Sequence, residues 1–364
     1  MRVLSPILQR VIYPAMAKVG YFHQRASASV ITYHGVLPQD YRSTDAFVDN
    51  TLVSIDTFRA QLRLLKRNYS LLSPEFFLSW IRGNETLPPR AVLLTCDDGL
   101  LNNATVMLPI LQEEGLQCLF FVTGTSTIQG KPTLLWYIEL YLMLIQSEGR
   151  IRAFAWRGLH VREAGPSPGE KRTLWLQLMT ALSRFTAQER TEFIAEASTH
   201  WGWDQAPRLR HLDDAAMRER FQLLMPNDVK QLSDAGMMIG SHTMSHPLLS
   251  HQTDESALDE IARSRKELEA CTGRAVWALA YPYGNPEAVG EREYDIARQS
   301  GYDCAFMNIP GELLHAGKFA LPRVHVTAEM SLTVFEAHVS GIHERLRNLI
   351  RPSQPPPQNA PRND

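Results

Sequence analysis

The chain has 364 residues, 44% apolar and 21% charged, enough for one large α/β domain with an insertion or for two modest domains. Its 37 Lys and Arg against 39 Asp and Glu leave a formal net charge of −2, and no basic stripe with interleaved aromatics occurs. A nucleic-acid partner is therefore not expected. Cys96, Cys118, Cys271 and Cys304 form no CxxC pair, and three of them fall in apolar, strand-like runs, which points to buried thiols rather than bridges.

In chain order, residues 1–28 read as an N-terminal helical segment. Arg10, Lys18 and two prolines interrupt its apolar residues, so it carries no clean signal-peptide core and is too short and polar to span a bilayer. Leu4, Leu8, Val11, Ile12 and Met16 form an apolar stripe, suited to weak attachment at a membrane surface or to packing on the protein's own body. The expectation is a cytoplasmic protein, with peripheral association at the inner membrane as a further reading.

Residues 29–350 alternate strand-like and helix-like segments. Candidate strands are 30–33, 69–72, 91–96, 117–122, 237–240, 276–280, 303–307 and 320–326. A helix over 57–68 follows Asp56 as its N-cap, a second over 104–114 stops at Gly115, and a third over 256–271 stops near Gly273. Such alternation implies parallel pairing with crossover helices, hence an α/β barrel or doubly wound sheet. Residues 131–225 break the rhythm: they show no strand and read as helices over 134–146, 171–186 and 187–200, a helical insertion. Its Trp136, Trp156, Trp175, Trp201 and Trp203 are expected to pack a subdomain core, with stacking on sugar rings as the alternative. Residues 351–364 are polar and proline-rich and are expected to be disordered.

Two segments carry the chemistry. In LLTCDDG (93–99) an apolar run ends in the adjacent carboxylates Asp97 and Asp98, at the strand end where α/β folds keep their active sites. In IGSHTMSHPLLS (239–250) His242 and His246 stand four residues apart after another strand-like run, so that on a helical turn both imidazoles reach one ion. Two histidines and a carboxylate leave coordination positions open, as a catalytic site requires. A third segment, LAYPYG (279–284), sets a tight Pro/Gly loop around Tyr283 whose backbone N–H groups suit a developing oxyanion.

TCDDG, SHTMSH and AYPYG, in this order, resemble the first three motifs of the polysaccharide deacetylases, carbohydrate esterase family four. The resemblance covers roughly 29–122 and 225–326 and leaves the insertion outside. It implies a distorted (β/α) barrel that removes acetyl groups from an N-acetylhexosamine-containing glycan, an exopolysaccharide or a lipid-linked sugar, and releases acetate. Asp98, His242 and His246 would then hold a divalent metal, Zn2+ first, with Co2+ or Ni2+ as alternatives. Asp97 would be the base, and the Tyr283 backbone N–H would meet the oxyanion. Family members often carry an arginine three residues before that tyrosine, where this chain has Ala280; Arg323 in LPRVHV is the candidate replacement. For the acid that protonates the leaving amine, His34 in ITYHGV resembles the early histidine of the biofilm poly-N-acetylglucosamine deacetylases, with His325 as rival and His315 behind it.

Three other functions share these residues: a glycan-binding scaffold without activity, a hydrolase of another non-peptide amide, and a non-haem iron oxygenase built on two histidines and a carboxylate. The sequence does not set an oligomeric state.

Overall fold

The structure, a computed structural model, describes residues 8–18, 20, 22, 28–43, 45–128, 132–147, 149–202 and 212–350. In chain order its strands are β1 (Ala28–Tyr33), β2 (Ser70–Leu71), β3 (Ala91–Cys96), β4 (Leu119–Val122), β5 (Phe154–Trp156), β6 (Leu159–Val161), β7 (Met238–Ser241), β8 (Ala278–Ala280), β9 (Cys304–Phe306) and β10 (Val324–His325). All but β5 and β6 join one sheet in the order β10-β1-β3-β4-β7-β8-β9, with β2 also on β3, and every pairing in it is parallel. A short parallel bridge from Phe306 to Leu321 draws the two edges together. The result is the expected α/β fold, a distorted barrel.

Strands β3, β4, β8 and β9 are buried on both faces, because crossover helices cover the sheet. In β3, Val92, Leu94 and Cys96 join the layer under the outer helices. Ala91 and Leu93 join a second cluster with Val30, Leu119, Phe121, Ala278, Ala280 and Phe306, packed against helix Pro74–Ile81. The same period of two that sorts these residues also sorts the site. The positions 30-32-34, 91-93-95-97 and 238-240-242 continue the second face past the strand ends, so His34, Asp97 and His242 emerge on one side of the sheet.

Helix Ile55–Asn68 is capped by Ser54, whose hydroxyl accepts from Thr57 N, and not by Asp56 as expected; Asp56 lies in the first turn, where a carboxylate suits the positive helix end. The helix expected over 104–114 begins with a π-type turn, Asn103–Met107, ahead of Leu108–Glu114. Pro109 there has no N–H to continue the ordinary ladder. Gly115 and Gly273 end their helices in the left-handed conformation.

Between β4 and β7 lie helices Trp136–Gln146, Pro168–Leu182, Ala187–His200 and Ala215–Phe221, built on a separate cluster that includes Leu140, Tyr141, Leu178 and Phe193. Contrary to expectation this stretch also holds a β-hairpin, β5 and β6, paired antiparallel. Its two-residue turn, Arg157–Gly158, has φ of 45° and 81°, the positive pair that right-twisted hairpins need, but it lacks the Asn-Gly or Asp-Gly that would have revealed it. Trp136, Trp156 and Trp175 are buried in this cluster; Trp203 lies outside the described residues, as do Leu4 and the stretch 351–364. Of the N-terminal stripe, Leu8, Ile12 and Met16 pack on Val334, Ala337 and Ile342 near the C-terminal end, while Val11 is 61% exposed. No helix among the described residues is long and apolar enough to cross a membrane.

Candidate metal centre and active site

The ends of β1, β3, β7, β8, β9 and β10 open onto one cavity of about 690 Å³, lined among others by His34, Asp97, Asp98, His242, His246, Tyr283 and His325. Residues drawn from six strand ends thus meet where a parallel barrel exposes its carboxyl edge. His315, by contrast, sits on an exposed turn bonded to Glu312, away from this cavity.

Asp98, His242 and His246 are all buried, with ligand atoms within 4.8 Å of one another. Both imidazole Nε2 atoms lie 3.5 Å from Asp98 Oδ1. His242 Nδ1 donates to the Ala280 carbonyl at 2.8 Å. A carbonyl can only accept, so this bond fixes the proton on Nδ1 and leaves the Nε2 lone pair facing Asp98. The two rings meet at 70° with centroids 5.0 Å apart, which lets their lone pairs converge. The only other such trio among the described residues, His338, His343 and Glu344, stacks its rings at 21° and 3.8 Å, so their lone pairs run side by side. The donor set at Asp98 therefore fits a divalent cation, and the second trio does not.

Backbone strain concentrates here. Of six non-glycine residues with positive φ among those described, Asp98 (75°), Thr243 (62°), His246 (55°) and Tyr283 (62°) belong to this site. Such conformations cost on the order of 1 kcal/mol or more each and persist where surrounding structure enforces them. At Asp98 the turn matters directly, because it brings to the site a side chain that would otherwise face the outer helices. Gly99, also at positive φ, has room for no more than hydrogen: a Cβ would stand 2.9 Å from Val122 Cγ1.

Arg323 arrives from the start of β10 and forms a two-pronged pair with Asp97, Nη1 to Oδ1 at 2.7 Å and Nη2 to Oδ2 at 2.6 Å. Its Nε donates to the Met307 carbonyl, and its guanidinium lies over Phe121 and Phe306. Burial works against ionisation of Asp97, but Arg323, with His242 and His34, outweighs it and holds the carboxyl below its ordinary value. Asp98 is held below its ordinary value as well, its burial overcome by His242, His34 and His246. His242 is pushed up, since Asp98 and Asp97 prevail over burial. His246 is driven down to about 3, by burial and then by His242. His34 and His325 meet edge to face at 4.9 Å, and Asn308 Nδ2 lies 3.4 Å from His325 Nδ1. Burial and then His34 bring His325 down to about 3.

Several neighbours carry no motif. Tyr137 of the insertion lies tilted against His246, with ring centres 5.4 Å apart, and Trp175 and Met179 also line the cavity. Arg190 reaches Ser245, between the two histidines. Its signal in the sequence is faint: on helix Ala187–His200 it shares the apolar face of Phe193, Ile194 and Ala197, where a charge is out of place.

The sequence profile of the polysaccharide deacetylase family matches residues 187–305. That stretch holds the second and third motifs and begins inside the insertion; Asp97 and Asp98 precede it. YxkH of Bacillus subtilis (strain 168), a protein named for the polysaccharide deacetylases, is 28% identical over 120 residues, which are 33% of this chain and 42% of YxkH. The deacetylase PplD of Streptococcus pyogenes, solved in complex with acetate, superposes with a TM-score of 0.54 at 17% identity, over 87% of this chain and 99% of PplD. A de-N-acetylase of Aggregatibacter actinomycetemcomitans superposes with a TM-score of 0.52 at 14% identity, over 85% of this chain and 99% of its own. At these identities the two structures bear on the fold.

Proposed function

We propose that this chain, whose residues 187–305 match the polysaccharide deacetylase family, hydrolyses the N-acetyl group of an N-acetylhexosamine-containing glycan in a metal-dependent reaction. The observation that carries this reading is the division of labour between adjacent carboxylates. Asp98 faces two imidazoles and Asp97 faces an arginine, within one cavity.

Asp98, His242 and His246 would hold the cation, Zn2+ being the first choice for two imidazoles and a carboxylate. Bound there, such an ion polarises an acetamide carbonyl and acidifies water. Asp97, kept ionised by Arg323, accepts the proton of the attacking water. The Tyr283 loop, fixed by the bonds of Gly284 O to Asn308 N and of Tyr281 N to Phe306 O, offers backbone donors to the oxyanion. His34 is the group we assign to protonate the leaving amine. His325, held down to about 3, is neutral in the working range and serves better as its neighbour.

The test is acetate release from short N-acetylglucosamine oligomers and from a lipid-linked acetamido sugar, after chelator treatment and resupply of Zn2+ or Co2+. Release should stop with chelator, return with metal, and fall by about 10²–10⁴-fold in Asp97→Asn. Full activity of that variant would remove the proposal, and a cellular role that survives it would leave a glycan-binding scaffold.

A further inference from the structure

We propose that the helical insertion is a working part of the metal centre: Trp136 and Arg190 fix the backbone of the 242–246 loop and so aim His246. This rests on the metal-site reading above.

The two histidines are steered by different means. His242 is oriented through its own ring, by the Nδ1 bond to Ala280 O. His246 has no such bond, because its Nδ1 is buried without a hydrogen-bond partner. Its ring must be aimed by what holds its backbone and by the rings beside it, Tyr137 at 5.4 Å and Tyr283 at 5.1 Å. That backbone is also under strain at Thr243 and His246, so something has to hold it in place.

From the barrel side, Glu260 on helix Asp254–Thr272 accepts Ser245 N at 2.8 Å and Ser245 Oγ at 2.5 Å, and its carbonyl accepts Met244 N at 3.0 Å. From the opposite side come two donors of the insertion. Trp136 Nε1 donates to the His246 carbonyl at 3.2 Å. Arg190 Nη2 donates to Ser245 Oγ at 2.7 Å and to the Ser245 carbonyl at 3.2 Å, while Nη1 donates to Phe185 O. The Arg190 guanidinium also lies 5.1 Å from the centre of the Trp136 ring, so the two donors brace each other.

Ser245 is thus gripped on both sides, giving its hydroxyl proton to Glu260 and accepting from Arg190. Arg190 is 1% exposed, and its Nε has no partner, so the bonds of Nη1 and Nη2 are what offset the cost of burying the guanidinium. The loop is a clamp with one jaw in the barrel and one in the insertion. Both Arg190 and Trp136 are positioning residues, since neither reaches the ion or the substrate atoms that react.

The experiment compares Zn2+ affinity by competition with a chromophoric chelator, and the visible spectrum of the Co2+-loaded protein, in the full-length wild type, Arg190→Met, Arg190→Lys and Trp136→Phe. Far-ultraviolet circular dichroism establishes that each is folded. Removing outer partners of a metal ligand weakens binding by about 10–100-fold, and that loss is expected for Arg190→Met, with a changed Co2+ spectrum and partial recovery in Arg190→Lys. Trp136→Phe, which keeps the ring and deletes only the donor, should shift both readouts in the same direction to a smaller degree; it decides the matter if Arg190→Met does not fold. Wild-type affinity and an unaltered Co2+ spectrum in the folded variants would overturn the proposal alone. A wild-type chain that binds neither ion would overturn the deacetylase reading and this proposal with it.

Discussion

Asp97 and Asp98 are neighbours in the chain and strangers in their surroundings. One ends the inward-facing series of β3 and meets Arg323; the other turns at positive φ and meets two imidazoles. The carboxylates and histidines were legible as motifs because each sits where an apolar run stops. Arg323 was legible only as a candidate, since it is 226 positions from its partner and nothing local marks it. The pair makes a prediction that separates charge from packing. Arg323→Met preserves the bulk over Phe121 and Phe306 but leaves Asp97 buried with only His242 and His34 to favour its charge. With the largest opposing charge gone, burial shifts the carboxyl upward, so the acid limb of kcat/KM for acetate release should move to higher pH. Breaking a buried pair of this kind typically costs about 3–5 kcal/mol, to be read from urea unfolding at neutral pH. An unmoved acid limb would show that Asp97 is not the base.

At the level of elements, most crossover units followed from pattern, because an apolar period and a stop signal such as Gly115 or Gly273 are both written locally. The hairpin of the insertion was missed for the same reason in reverse. Its strands have three residues each, and its turn uses Arg157 at a position where asparagine, aspartate or glycine is usual. Tertiary links compensate: Arg157 pairs with Glu189 and Glu192 on helix Ala187–His200, so that helix holds the turn in place. Gly158 supplies the other half of the turn at φ 81° and has open space around it, so a side chain there meets only backbone strain. Gly158→Ala is accordingly expected to lower unfolding stability by about 1 kcal/mol, and Gly158→Asn by less, as measured by denaturant midpoint. Equal stability of all three proteins would mean that the ion pairs alone hold the turn.

At the scale of the whole molecule, helix Tyr13–Lys18 and the helices Leu332–Val339 and Ile342–Ile350 form a satellite cluster; the N-terminal apolar stripe announces one side of it, but nothing local names its partner some three hundred residues away. Tyr13 OH lies 2.7 Å from His343 Nδ1, and His343 in turn stacks on His338. Burial, then His343 and Arg347, brings His338 down to about 3, while the same group in an unfolded chain titrates near 6.5. Between those values the unfolded chain binds a proton that the fold refuses, so acid favours unfolding, with a slope of up to about 1.4 kcal/mol per pH unit for this one histidine. His343 is lowered as well and adds in the same direction. Glu344, which burial pushes up despite Arg347, pulls the opposite way, because the fold keeps its proton where the unfolded chain has lost it. The window to read is about pH 5.5–6.5, next to the unfolded histidine value and away from the unfolded carboxyl value. His338→Phe retains the stacked ring and removes the titration, so its unfolding free energy should fall less than that of the wild type as pH drops from about 6.5 to 5.5. Parallel pH dependence of the two proteins would mean that His338 takes up its proton without leaving the fold, and that the satellite loosens locally while the barrel stays closed.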